Sequence, residues 1–107
     1  MLRIRARVDN SHGQHAVSLS TGEREHRLAV AAKPDGYGSS VNGGEMLFLA
    51  LATCYCNDLY REAGRRGIAV RRVEVEVRGD FAPVPGAVAE NVTYDVRVEA
   101  DAPEDQI

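Results

Sequence analysis

Two thiols, Cys54 and Cys56, are the side chains of this sequence best suited to covalent chemistry, since a thiolate can attack an electrophile. Residues two apart on a helix point about 200° away from each other, so these two cannot form a disulfide while the helix is intact. Cys56 shares its stripe with mostly apolar residues and is predicted to be structural. Cys54 lies where the apolar stripe meets Asn57, Asp58 and Arg61, the border at which a reactive thiol would lie. Helix geometry does not activate it, because it lies about three turns from the N-terminus and Asp58 disfavours a thiolate, so the residues alone favour a structural thiol and leave a reactive one as the alternative.

The helix that carries both thiols is predicted over Gly43 to Arg66. Asn42 is its expected N-cap, and Glu45 completes a capping box. Gly67 suits the left-handed conformation in which many helices end. From Met46 to Cys56 the sequence is apolar on every side of the helix, which predicts that other elements or another chain cover it all round.

Antiparallel strands are predicted on both sides of this helix. Near the start of the chain, apolar residues alternate with arginines from Leu2 to Val8, the period of a strand with one buried face. Such strands around a single helix predict an α+β fold, with an antiparallel sheet packed on one long helix. The remaining predictions are strands over His15–Ser20 and His26–Ala32, turns at Ser11–Gly13 and Thr21–Gly22 and a loop over Lys33–Ser40. The strands predicted over Arg72–Arg78 and Val92–Glu99 are expected to form a hairpin with an irregular connection over Phe81–Gly86.

Composition predicts a single domain over residues 1–107, since 44% hydrophobic and 27% charged residues are ordinary globular values. A net charge of −3 without a large basic cluster argues against nucleic acid as a partner. The apolar run of the helix is about half of the roughly 20 residues that span a bilayer, and no leader pattern is present, so no membrane association and a cytoplasmic location are expected. His12, His15 and His26 are scattered, and neither a metal nor a cofactor is expected.

The segment from Gly44 to Cys54, with Ala63–Gly67 and the valine-rich strand that follows, resembles the OsmC/Ohr family of osmotically inducible and organic hydroperoxide resistance proteins. The resemblance runs from about Arg3 to the end of the chain, and the helix with its cysteine is the specific part. It implies the OsmC-like fold and an intertwined homodimer with the long helices at its centre. It also implies a thiol peroxidase that reduces organic hydroperoxides in an oxidative stress response.

The resemblance further implies roles for individual residues. The family uses an attacking cysteine on this helix, an arginine from the first β-turn, a glutamate at the helix start and a resolving cysteine in the C-terminal part. Cys54 takes the position of the attacking cysteine. His12 takes the position of the arginine, and Arg7, Arg24 and Arg27 are the alternatives if the alignment shifts.

The remaining parts of that machinery match the sequence less closely. Glu45 is the third expected site residue, although it lies one residue closer to Cys54 than the family glutamate, whose position Gly44 takes. Cys56 does not have the spacing of the resolving cysteine. The family normally continues through another helix and a final strand, so the resemblance predicts a C-terminally truncated chain in which Asp101 to Asp105 begins a helix.

Two functions of different classes follow from these observations. In the first, Cys54 reduces a small organic hydroperoxide and an external dithiol restores the thiol, because no second cysteine resolves it. In the alternative, the chain forms a non-catalytic dimer of the same fold, which binds an apolar ligand or partner in a cleft near the helix.

Overall fold

The computed structural model describes residues 1–101, and its contacts divide the chain into two compact units, Met1–Asn42 and Gly43–Ile107. An antiparallel sheet forms the first unit, and one helix packed on an antiparallel hairpin forms the second, which confirms the α+β class. That the two units form a single domain stays a prediction. The elements are β1 (Ile4–Ser11), β2 (Gln14–Thr21), β3 (Arg24–Arg27), α1 (Gly43–Arg65), β4 (Val70–Phe81) and β5 (Ala89–Ala100).

The first unit is a meander in the order β1-β2-β3. The range predicted for the third strand, His26–Ala32, is wrong, because β3 spans Arg24–Arg27 instead. A tight turn with Gly22 at φ 59° sets Arg24 opposite Thr21, so pairing with β2 begins earlier than predicted and ends at Arg27.

The alternating pattern of β1 correctly predicts a strand, but its apolar face is not buried. Leu2, Ile4 and Val8 are 77%, 74% and 61% exposed. Strand pairing satisfies the backbone hydrogen bonds of β1 without covering its side chains, so alternation by itself does not guarantee burial.

In the second unit, α1 begins at Gly43 as predicted and ends at Arg65, one residue before the predicted end. Gly67 has φ 68°, its amide donates to the carbonyl of Gly64 (3.2 Å), and the amide of Ile68 donates to the carbonyl of Ala63 (2.9 Å). These two bonds form a Schellman motif, which satisfies carbonyls that the end of a helix would otherwise leave unpaired.

The chain's own elements do not cover α1 all round, and cover by another chain, the other half of that prediction, stays a prediction. Among the described residues of the helix only Ala63 is buried, while Leu47, Leu49 and Tyr55 are 48%, 52% and 42% exposed. The helix packs on β4, and a two-stranded hairpin can cover only one side of a helix.

Strands β4 and β5 form the predicted hairpin, longer than expected at both ends. Phe81, predicted to open the connection, is the last residue of β4, and residues 82–88 connect the strands. The register shifts between Arg78 and Asp80, with Gly79 between them. At the other end, Asp101 donates its amide to the carbonyl of Ala69 (3.0 Å).

The rest of the predicted C-terminal helix start, after Asp101, lies outside the described residues. Within residues 1–101, no helix is long and apolar enough to cross a membrane.

Candidate functional site

The two thiols of α1 lie in different surroundings. Cys54 is exposed, whereas Cys56 is half-buried, and both are free. Cys56 faces a shallow hollow between α1 and β4, lined by Ala52, Thr53, Asn57 and Val75. A reagent in solution can therefore reach Cys54 more easily than Cys56.

An ion pair lies on the side of α1 that carries Cys54. Arg61 donates to the carboxylate of Asp58 at 2.8 Å, and both side chains are more than half exposed. Asp58 follows Cys54 by one turn, so its negative charge would oppose a thiolate. The guanidinium of Arg61 offsets that charge, although an exposed pair of this kind contributes little energy.

Glu45 lies in the first turn of the same helix and is exposed. It precedes Cys54 by nine residues, which corresponds to about 13 Å along the axis and about 180° around it. The helix therefore does not bring the Glu45 carboxylate to the Cys54 thiol of the same chain. A contact between them would require a kink in the helix or a second copy of the chain.

His12 lies in the turn between β1 and β2, in the first unit, where its side chain is exposed. Its ring meets the ring of Tyr37 edge to face, with centroids 5.3 Å apart and planes at 84°. Among the alternative cations, Arg7 approaches Asp9 at 3.7 Å, and Arg24 and Arg27 are exposed on β3.

A cavity of about 420 Å³ lies between the C-terminal half of α1 and the β4–β5 hairpin. Its size is within the range of small-molecule sites, and it is mainly apolar with charged side chains at the rim. The sequence predicted an apolar cleft near the helix but not which residues line it, because alternation identifies apolar strand residues without showing what they face. The lining residues are Tyr55, Asp58, Leu59, Glu62, Ala63, Arg66, Ile68, Val70 and Val98.

Cys54 itself does not line this cavity, but its neighbours Tyr55 and Asp58 do. The Tyr55 ring also contacts the Tyr94 ring, with centroids 5.5 Å apart. Across residues 1–101, the structure contains no group of three or more His, Cys, Asp or Glu side chains suited to hold a metal ion.

A family model described as OsmC-like protein matches residues 36–107. The matched segment begins in the loop before α1 and includes the helix with Cys54 and Glu45, whereas the turn that carries His12 lies outside it. No curated protein and no solved structure matches the chain significantly.

Proposed function

Because the chain belongs to the OsmC-like protein family, we propose that this stress-response protein reduces organic hydroperoxides with the thiol of Cys54. The observation that carries the proposal is an exposed, free Cys54 on the helix of the matched segment. An exposed thiol meets the first requirement of a peroxidase that is recycled by an external reductant, because both reactants must reach the sulfur.

The proposed reaction has two stages. The Cys54 thiolate attacks the distal oxygen of the hydroperoxide, an S–O bond forms, the O–O bond breaks and the alkoxide leaves as an alcohol after taking a proton. One thiol of a dithiol reductant then displaces water from the sulfenic acid and forms a mixed disulfide. Its second thiol releases Cys54 and leaves the reductant as a cyclic disulfide.

His12 and Glu45 complete the proposed site. His12, as an imidazolium, takes the role of a cation that stabilises the thiolate and the departing alkoxide. Glu45 orients this cation from a second copy of the chain, since it lies on the far side of α1 from Cys54 of its own chain.

Turnover of the purified full-length protein tests the proposal. We expect consumption of cumene hydroperoxide with dihydrolipoamide as reductant, and labelling of Cys54 by a sulfenic-acid trap when the reductant is omitted. Mass spectrometry of the trapped peptide locates the label. A folded protein that neither consumes hydroperoxide nor gives a trapped sulfenate would contradict the proposal.

We expect His12→Ala to lower kcat/KM for cumene hydroperoxide about tenfold, because the cation of the site is lost. His12→Arg is expected to retain the activity, since it restores the residue type that the family uses. His26→Ala on β3 is the matched control and should leave kcat/KM unchanged. An unchanged rate in His12→Ala would exclude His12 and direct attention to Arg7, Arg24 and Arg27.

We also propose that the chain is a homodimer, in which a second copy covers exposed apolar surface of α1. Leu47 and Leu49 are about half exposed, and because they lie two residues apart they leave apolar surface on opposite sides of the helix. The apolar face of β1 is exposed as well.

Leu49→Asp tests the dimer because it would bury a carboxylate in the proposed interface. We expect the dimer dissociation constant, measured by sedimentation equilibrium, to rise more than about tenfold. Asn57→Asp places the same residue on a polar part of the helix and should leave the constant unchanged. A wild-type protein that sediments as a monomer at micromolar concentration would contradict the dimer.

The cavity between α1 and the β4–β5 hairpin favours a second candidate function, the binding of an apolar ligand without catalysis. Apolar side chains such as Leu59, Ile68 and Val98 line it, and Cys54 does not. This function would require no thiol. It is the better account if the full-length protein shows no turnover and Cys54→Ser leaves its cellular role intact.

A further inference from the structure

We propose that Asn10 is a positioning residue for His12, which it holds in place through the segment Gly36–Gly38. This inference rests on the proposed function as far as the role of His12 in turnover is concerned. All of the contacts that carry it lie within the first unit.

The first contact is a two-point attachment of Asn10 to the backbone of Gly38. The amide of Gly38 donates to Oδ1 of Asn10 (2.9 Å), and Nδ2 of Asn10 donates to the carbonyl of Gly38 (3.1 Å). One side-chain amide thus satisfies both backbone groups of one residue, as a neighbouring β-strand would do. Gly38 has φ 95°, a conformation that favours glycine.

The second contact extends this attachment to His15. Because the donor and acceptor of Gly38 fix which way the Asn10 amide points, the second hydrogen of Nδ2 is directed to Nδ1 of His15, at 2.9 Å. Nδ1 therefore accepts, and the proton of a neutral His15 lies on Nε2. Asn10 and His15 are paired across β1 and β2, and both are half-buried.

The third contact joins the β1–β2 turn directly to the same segment. The amide of Gly13 donates to the carbonyl of Gly36 at 2.9 Å. Tyr37 is consequently held on both sides, through Gly36 by the turn and through Gly38 by Asn10. This places its ring against His12, the residue before Gly13, with the ring centroids 5.3 Å apart.

These contacts matter because His12 and Tyr37 are both exposed, Tyr37 by 69%. An exposed imidazole in a turn would otherwise sample several rotamers. The Tyr37 ring restricts that freedom, and a fixed cation stabilises a transition state better than a mobile one. The hydrogen bonds of Asn10 go to Gly38 and His15, so it acts on His12 through the segment it holds.

Asn10→Ala tests the proposal by nuclear magnetic resonance of the full-length protein. The chain has 3 histidines, so the ring signals can be assigned by substituting each in turn. We expect the His12 ring protons to carry a ring-current shift that is lost in Asn10→Ala and in Tyr37→Ala. Tyr37→Phe keeps the ring and should keep the shift, as should Gln14→Ala, the control at the first residue of β2.

The kinetic test compares two backgrounds. We expect Asn10→Ala to lower kcat/KM for cumene hydroperoxide about fivefold when His12 is present, and to have no further effect in His12→Ala. A merely structural role would lower the rate in both backgrounds.

Unchanged His12 signals in Asn10→Ala, or an equal loss of rate in both backgrounds, would overturn the proposal. If the wild type shows no turnover, the proposed function fails, and the ring-current shift alone decides whether Asn10 positions His12.

Discussion

Cys54→Ser is expected to reduce hydroperoxide turnover to the uncatalysed background, the largest effect of any single substitution in this chain. A serine hydroxyl keeps the size of the side chain but is not ionised near neutral pH, so it cannot attack the O–O bond. Sulfenic-acid trapping should disappear together with turnover. Steady-state assays with cumene hydroperoxide and dihydrolipoamide measure the first result, and mass spectrometry measures the second.

Cys56→Ser is the matched control, since it removes the other thiol of the same helix. Cys56 is half-buried beside Val75, and its spacing does not suit a resolving role. We expect turnover and trapping to remain close to wild type. Loss of activity in Cys56→Ser with full activity in Cys54→Ser would assign the reaction to Cys56 and contradict the proposed function.

Gly79→Ala is expected to lower the free energy of unfolding by about 2 kcal/mol, because it overpacks the contact between α1 and the hairpin. A Cβ at Gly79 would lie 2.7 Å from Cζ of Phe48 and 3.2 Å from Cγ2 of Val92. The Phe48 ring has little freedom to retreat, since it packs against Phe81 with ring centroids 5.7 Å apart. Denaturant unfolding at fixed protein concentration measures the change.

Two further variants separate overpacking from a general effect of replacing glycine. Gly64→Ala lies in α1, and apart from its chain neighbours and the helix's own backbone no atom lies within 4 Å of the new Cβ, so it should be neutral or stabilising. Phe48→Leu shortens the opposing side chain, and in that background Gly79→Ala should cost less than in the wild type. Equal losses in both backgrounds would show that the ring contact is not the cause.

The candidate site could be predicted from the sequence only where the relevant signal is local. The helix bounds and the position of Cys54 between apolar and polar stripes follow from residues within a few turns of one another. The sequence marks Asn10 only weakly as a residue with a special role. It is polar, yet it stands where the alternation of Ile4, Ala6 and Val8 would place an apolar residue. Its bonds to Gly38 could not be predicted, because they join residues 28 apart along the chain.

The sequence by itself determined where α1 begins, near which residue it ends, and that strands precede and follow it. Capping residues, a left-handed glycine and the hydrophobic period act between residues close together in the chain, so they can be recognised from the amino-acid sequence alone. Only the tertiary structure decided where β3 pairs, that Gly79 faces Phe48, and that a cavity opens beside Val98. Those features depend on which surfaces meet, and the same alternating pattern is compatible with an exposed face as well as with a buried one.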